Sequence, residues 1–297
     1  MSAQKQNTRQ SKQQDVTSNG GIAHAMRIPT LETPGRDAIP TPETPGRGPI
    51  PTPETPGPDA IPTPSQRAQW EEYDDGRTQP KQQFYTELVM ILDRSGSMGG
   101  LESDTIGGYN AMLQRQRDTG GRVVVSTVLF DDRCEVLYDR VPLDHLPQIT
   151  SRDYYVRGCT ALLDALGGAI HHIAGVHRRL PAHERPDKTI FVITTDGMEN
   201  ASRTYDYRRV QQMVRHEEKR YGWEFLFLGA NMDAIATAAR MGISADRAAT
   251  YLSDSAGTAL NYEVLGDAVC EMRAAPDRID GSWKQRIDAD VQRRAAR

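Results

Sequence analysis

The sequence predicts an α/β domain: a doubly wound, mostly parallel sheet with helices on both faces and one antiparallel edge strand. Apolar runs of strand length at residues 88–92, 123–130, 189–194 and 223–228 alternate with longer segments whose apolar residues recur at helical spacing. Polar interruptions in these runs are few, as expected of strands buried on both faces rather than half-exposed. Asp131, Asp132 and Arg133 separate residues 123–130 from a third strand at 134–141 and read as a hairpin turn, which supplies the antiparallel edge.

Taken in order, the first strand is followed by a helix over residues 104–117. Ile106, Tyr109, Met112 and Leu113 mark its inner face, Ser103 or Asp104 stands at the cap, and Gly120 and Gly121 end it. After the hairpin, residues 146–155 lack periodicity. A long helix from Thr160 places Leu162, Leu163, Leu166, Ile170 and Ile173 on one side. Residues 207–220 form a charged helix. Residues 232–241 form another that stops at Gly242, 250–252 a short edge strand, and 258–272 a last helix before Pro276. Beyond it, Ile279, Trp283, Ile287 and Val291 recur every four residues; this amphipathic stripe docks either on the domain or on a partner.

Three divisions follow: a tail over 1–84, a folded domain over 85–275 and a C-terminal segment over 276–297. The first 25 or so residues are Gln, Asn, Ser and Thr with few apolar groups, a composition that cannot offset the entropy of ordering. Then IPTLETPGRDA, IPTPETPGRGP and IPTPETPGPDA start at Ile28, Ile39 and Ile50, with a partial fourth copy at Ile61. Each unit holds too few large apolar residues to stack as a solenoid. Thr-Pro pairs at Thr33, Thr41, Thr44, Thr52, Thr55 and Thr63 favour extended backbone. The segment reads as a semi-rigid spacer or as a set of docking motifs for a phosphothreonine-binding module, where repeated copies would raise effective concentration. Trp70 and Tyr73 either pack on the domain edge or lie in an exposed linker.

Net charge is −4 and the isoelectric point is near 6.0, without a strong basic block, so a general nucleic-acid binder is not expected. Neither an apolar leader at the N-terminus nor a membrane-length apolar stretch is found, and the three cysteines, Cys134, Cys159 and Cys270, lack metal-binding spacing. A cytoplasmic protein with reduced thiols and no membrane contact is the expectation. Cys159 reads as a small packed residue, Asp131 and Asp132 as solvated turn acids, and His171, His172, His177 and His183 as surface histidines.

The chemistry concentrates at the ends of two strands. Asp93, Ser95 and Ser97 follow the first strand at intervals of two, with Gly96, Gly99 and Gly100 allowing a tight turn. One carboxylate and two small hydroxyls on one loop suit a hard divalent cation such as Mg²⁺. Thr195 and Asp196 end the fourth strand and reach the same sheet edge, where ligands of open α/β sheets gather. Thr160 stands where a helix cap would, which by itself explains its hydroxyl.

Asp93, Ser95 and Ser97 as D-x-S-x-S, Thr160 in RGCTALLDAL and Asp196 in FVITTDGMEN together resemble the von Willebrand factor A domain and its metal-ion-dependent adhesion site. The stretches DTIGGYNAML, FLFLGANMDA and GTALNYEVL are similar to a bacterial intracellular group of such domains, and the resemblance covers residues 85–275. It implies a Rossmann-like fold in which Ser95, Ser97 and sometimes Thr160 touch Mg²⁺ or Mn²⁺, while Asp93 and Asp196 act through water or hydroxyl groups. It also implies a protein partner that presents an Asp or Glu to the metal. The strand-end loops hold no His or Lys for acid–base chemistry, and no phosphate loop of the G-x-x-x-x-G-K-[ST] kind exists. A binding module is therefore expected rather than an enzyme. A Mg²⁺-dependent phosphoryl-transfer or hydrolytic enzyme, and a scaffold with a vestigial metal site, are the alternatives.

Overall fold

The computed structural model describes residues 84–275 and 279–296. The Thr-Pro repeats, Trp70, Tyr73 and Pro276 lie outside the described residues. Six strands, β1 (Thr86–Asp93), β2 (Val123–Phe130), β3 (Cys134–Pro142), β4 (Lys188–Thr195), β5 (Glu224–Ala230) and β6 (Ala248–Tyr251), form one sheet in the order β3-β2-β1-β4-β5-β6. All neighbours pair in parallel except β2 with β3. The chain thus winds outward from β1 in both directions, and the strand order reverses between β1 and β4. That reversal opens a crevice at the carboxyl ends of the strands, where ligands of such sheets bind.

Helices α1 (Glu102–Thr119), α2 (Leu162–Arg179), α3 (Tyr207–Tyr221), α4 (Ala234–Arg240), α5 (Ser255–Ala274) and α6 (Gln285–Ala295) cover the sheet. Alternation along β1 splits the core in two. Leu88, Met90 and Leu92 point to the layer with Tyr109, Met112 and Leu113 of α1 and Leu265 and Val269 of α5. Val89 and Ile91 point to the opposite layer, with Leu166, Ile170 and Ile173 of α2 and Val210 and Val214 of α3. Every residue of β1 is buried, which accounts for its uninterrupted apolar run.

Several boundaries differ from expectation. Helix α1 begins at Glu102, with Leu101 at the cap and no capping side chain; Glu102 instead accepts a hydrogen bond from Gly100 N at 2.8 Å, so Ser103 and Asp104 lie inside the first turn. Helix α4 starts at Ala234 rather than 232, because Asp233 caps it by accepting from Ala236 N. The edge strand runs over Ala248–Tyr251, two residues earlier than expected at its start. Helix α3 is capped by Asp206 and closed by Gly222 in the left-handed region at φ 66°.

The C-terminal stripe docks on the domain. Ile279, Trp283 and Ile287 join the α1/α5 core layer, and the Trp283 indole donates to Asp246 O at 2.8 Å. Among the described residues no helix is long and apolar enough to cross a membrane.

Candidate metal centre

Strand β1 delivers Asp93 and strand β4 delivers Thr195 and Asp196 to the crevice. Asp93 is fully buried. One of its carboxylate oxygens accepts from Ser95 N at 2.6 Å and the other from the Thr195 hydroxyl at 2.5 Å. The Tyr154 hydroxyl donates to the Asp93 carbonyl at 2.5 Å. Burial pushes the Asp93 carboxyl above its ordinary value against the hydrogen bonds from Ser95 and Thr195, and the negative Asp196 nearby pushes it further up.

The serine hydroxyls of the turn, Ser95 Oγ and Ser97 Oγ, lie 3.0 Å apart. Gly197 shows how closely the third hydroxyl approaches them. A Cβ at that position would stand 2.5 Å from Thr160 Oγ1, 3.1 Å from Ser97 Oγ and 3.4 Å from Ser95 Oγ. Three hydroxyls from two separate loops therefore surround one small volume that only a residue without a side chain leaves free. Asp196, the immediate neighbour of Gly197, is nearly buried. Its Oδ2 accepts from Ser253 Oγ at 3.1 Å, whereas Oδ1 is buried with no hydrogen-bond partner. The closest arginine in sequence, Arg94, turns away to Asp131 and Glu135. Two buried carboxylates thus share the crevice, and among the described residues no Lys, Arg or His pairs with either, an expensive arrangement unless a cation compensates it.

Thr160 does not cap its helix. Helix α2 starts at Leu162 with Ala161 at the cap position, a residue with no capping side chain. Glu199 takes over that task, accepting from Leu163 N at 2.9 Å, Ala201 N at 3.0 Å and Ser202 N at 2.8 Å. Its carboxylate is engaged in these structural hydrogen bonds and in one from the Ser202 hydroxyl at 2.8 Å. The Thr160 peptide is held by Asn200, whose side-chain oxygen accepts from Thr160 N at 2.9 Å.

Two sequence expectations need correction here. Asp131 is not a solvated turn acid: it is fully buried between Arg94 and Arg157. Cys159 is not packed but exposed, because the loop before Thr160 turns its side chain outward. Among the histidines, His171, His172 and His183 are exposed as expected. His177 is half-buried, with Nε2 2.6 Å from the buried carboxylate of Glu87.

Sequence reasoning missed Tyr154, Ser253 and Asn200 as supports of the site. No local pattern marks them, since each acts across 40 or more residues. Gly197 was legible as a neighbour of Asp196, though its role as the open floor between hydroxyls was not. The donor set is oxygen only, which suits Mg²⁺ or Mn²⁺ rather than a metal that prefers thiolate or imidazole. Among the described residues no group of three or more His, Cys, Asp or Glu side chains is placed to hold a metal ion; the candidate centre depends on hydroxyls.

No protein-family model matches the sequence, and no curated protein matches it. Among solved structures, the chain is similar to a D319A mutant of the PilB minor pilin from Streptococcus sanguinis, with TM-score 0.46 and 12% identity over 67% of this chain. It is also similar to a von Willebrand factor type A protein from Catenulispora acidiphila, with TM-score 0.42 and 16% identity over 65% of this chain. The vWF domain of the type V pili tip protein Mfa5 from Porphyromonas gingivalis gives TM-score 0.45 and 10% identity over 66% of this chain and 98% of its own. The chain spans 64% of the PilB chain and 42% of the Catenulispora chain. The fold assignment stands on strand order and direction, independently of these similarities.

Proposed function

We propose that this protein is a metal-dependent protein-interaction module of the von Willebrand factor A type. Asp93, Ser95, Ser97, Thr160 and Asp196 would hold one divalent cation, Mg²⁺ or Mn²⁺. The observation that carries the reading is the convergence of the Ser95, Ser97 and Thr160 hydroxyls on the space above Gly197, beside the partnerless Oδ1 of Asp196. Neutral hydroxyl donors leave a bound cation strongly electrophilic, which is the chemistry it would supply to a partner carboxylate. Ser97, Gly96, Gly99 and Met198 are exposed, so the site opens to solvent and a partner's Asp or Glu has access to it. Asp93 keeps Ser95 in place through its hydrogen bond to the Ser95 peptide, and Ser253 orients Asp196.

This role requires no proton transfer and no nucleophile, in line with a binding module and not an enzyme. The Thr-Pro repeats over 28–64 are proposed as a phosphothreonine docking segment, on their regular spacing alone. A cytoplasmic setting is proposed on the cysteine pattern. The test of carboxylate capture is nuclear relaxation of acetate in the presence of the protein and Mn²⁺. Protein-bound Mn²⁺ is expected to enhance carboxyl-carbon relaxation until EDTA is added or Ser97 is replaced by Ala. Bound Mn²⁺ with no effect on acetate would refute the open coordination position.

A further inference from the structure

Asp131, in the turn between β2 and β3, joins the two loops that carry the proposed metal-binding hydroxyls. Its Oδ2 accepts from Arg94 Nε at 2.9 Å and from Arg157 Nε at 2.6 Å. Its Oδ1 accepts from Arg133 N at 2.9 Å, which fixes the carboxylate within its own turn. Arg94 lies between Asp93 and Ser95, and its side chain is wholly buried. Arg157 begins the loop that leads to Thr160. The backbone repeats the connection: Arg157 N donates to Arg94 O at 2.8 Å, Gly96 N to Gly158 O at 3.2 Å, and Ala161 N to Asp131 O at 2.7 Å. Thus the peptides flanking Ser95 bond directly to the loop before Thr160, the peptide after Thr160 bonds to the Asp131 turn, and a single Asp131 oxygen holds both guanidinium groups. Glu135 adds a second acceptor for Arg94 at 2.7 Å, but its side chain is half exposed.

Resting on the metal reading above, we propose that Asp131 is a positioning residue for the cation site, setting the spacing between the Ser95–Ser97 turn and Thr160 through Arg94 and Arg157. A buried guanidinium that loses its carboxylate seeks water. Without Asp131, Arg94 keeps only the half-exposed Glu135 as its acid partner, and movement of its side chain toward that partner pulls on the peptide between Asp93 and Ser95 that positions the Ser95 hydroxyl. Partners of this kind, one step behind the ligands, typically change metal affinity by ~10–100-fold when removed.

The experiment is calorimetric titration of MnCl₂ into the full chain, comparing wild type with Asp131→Asn, Arg157→Ala and Arg157→Lys, each with a thermal melt in EDTA. Arg157 is partly exposed, so Arg157→Ala keeps the test open should Asp131→Asn not fold. The expected result is a cooperative melt for Arg157→Ala with Mn²⁺ affinity weakened about 10-fold or more, and partial recovery in Arg157→Lys, which retains the charge. A merely structural role would lower the melting temperature without separating affinity from stability. Wild-type binding with affinity unchanged in folded Asp131→Asn and Arg157→Ala would overturn the assignment alone. Absence of Mn²⁺ binding by the wild type would refute the metal reading and this assignment with it.

Discussion

Replacing Gly197 by Ala places a methyl group in the space that the three hydroxyls surround. The added Cβ would stand 2.5 Å from Thr160 Oγ1, well inside the 3.4 Å at which ordinary contact begins. Thr160 is β-branched and buried, so its hydroxyl escapes only by a rotamer change or a shift of its loop. Either movement takes one donor from the cation, and the methyl itself occupies the remaining volume. Gly197 does not have a left-handed φ, so alanine adds no backbone strain. The cost in metal-free protein is that of local overpacking, about 1–3 kcal/mol. The larger effect is on linkage. At a Mn²⁺ concentration 100 times the dissociation constant, binding stabilises the native state by about 2.7 kcal/mol. For a domain of this size that raises the melting temperature by roughly 5–10 °C. Calorimetric melts with MnCl₂ and with EDTA should show this rise in wild type and none in Gly197→Ala. Gly168 in α2, where a Cβ would meet nothing within 4 Å, is the control. Gly168→Ala is expected to gain about 0.5–1 kcal/mol and to keep the Mn²⁺ response. A full wild-type response in Gly197→Ala would refute the placement of the cation.

Three further predictions concern charge, support and the C-terminal segment. Because burial raises the Asp93 carboxyl above its ordinary value, the metal-free native state holds that proton more tightly than the unfolded chain. The stability from this group is present at low pH and is lost as pH rises from the ordinary value near 3.8 through the raised native value. In EDTA, Asp93→Asn should therefore gain stability relative to wild type as pH increases from 4 to 7; a difference that does not change with pH would contradict it. Asn200→Ala removes the acceptor of Thr160 N and should cost about 1–3 kcal/mol while weakening Mn²⁺ binding; unchanged stability in a denaturant titration would count against that bond. Trp283→Ala should cost about 3–5 kcal/mol by the same titration, since Trp283 belongs to the α1/α5 core layer. A loss below about 1 kcal/mol would show that the C-terminal segment packs only loosely.

The four interior strands were legible because burial on both faces leaves continuous apolar runs that need no tertiary information. Asp93 and Asp196 were legible for the same reason: each ends such a run, so sheet direction alone sends both to one edge. What was not legible depended on distant partners. Asp131 resembles any acid in a turn until Arg94 and Arg157, 37 and 26 residues away, close over it. Thr160 looked like a helix cap, but the helix starts two residues later, at Leu162, and its first turn is supported by Glu199 from another loop. Cys159 had no pattern to reveal its side, since loop residues follow neither a period of two nor of 3.6. The C-terminal stripe showed an amphipathic helix but not its target, because periodicity identifies a face and not what covers it.

The most direct test is titration of MnCl₂ into the metal-stripped 297-residue chain, followed by calorimetry. The account predicts one saturable site per chain, lost in the double variant Ser97→Ala with Asp196→Asn while the cooperative melt persists. No saturable binding by the wild type, or the same binding in the double variant, would contradict it.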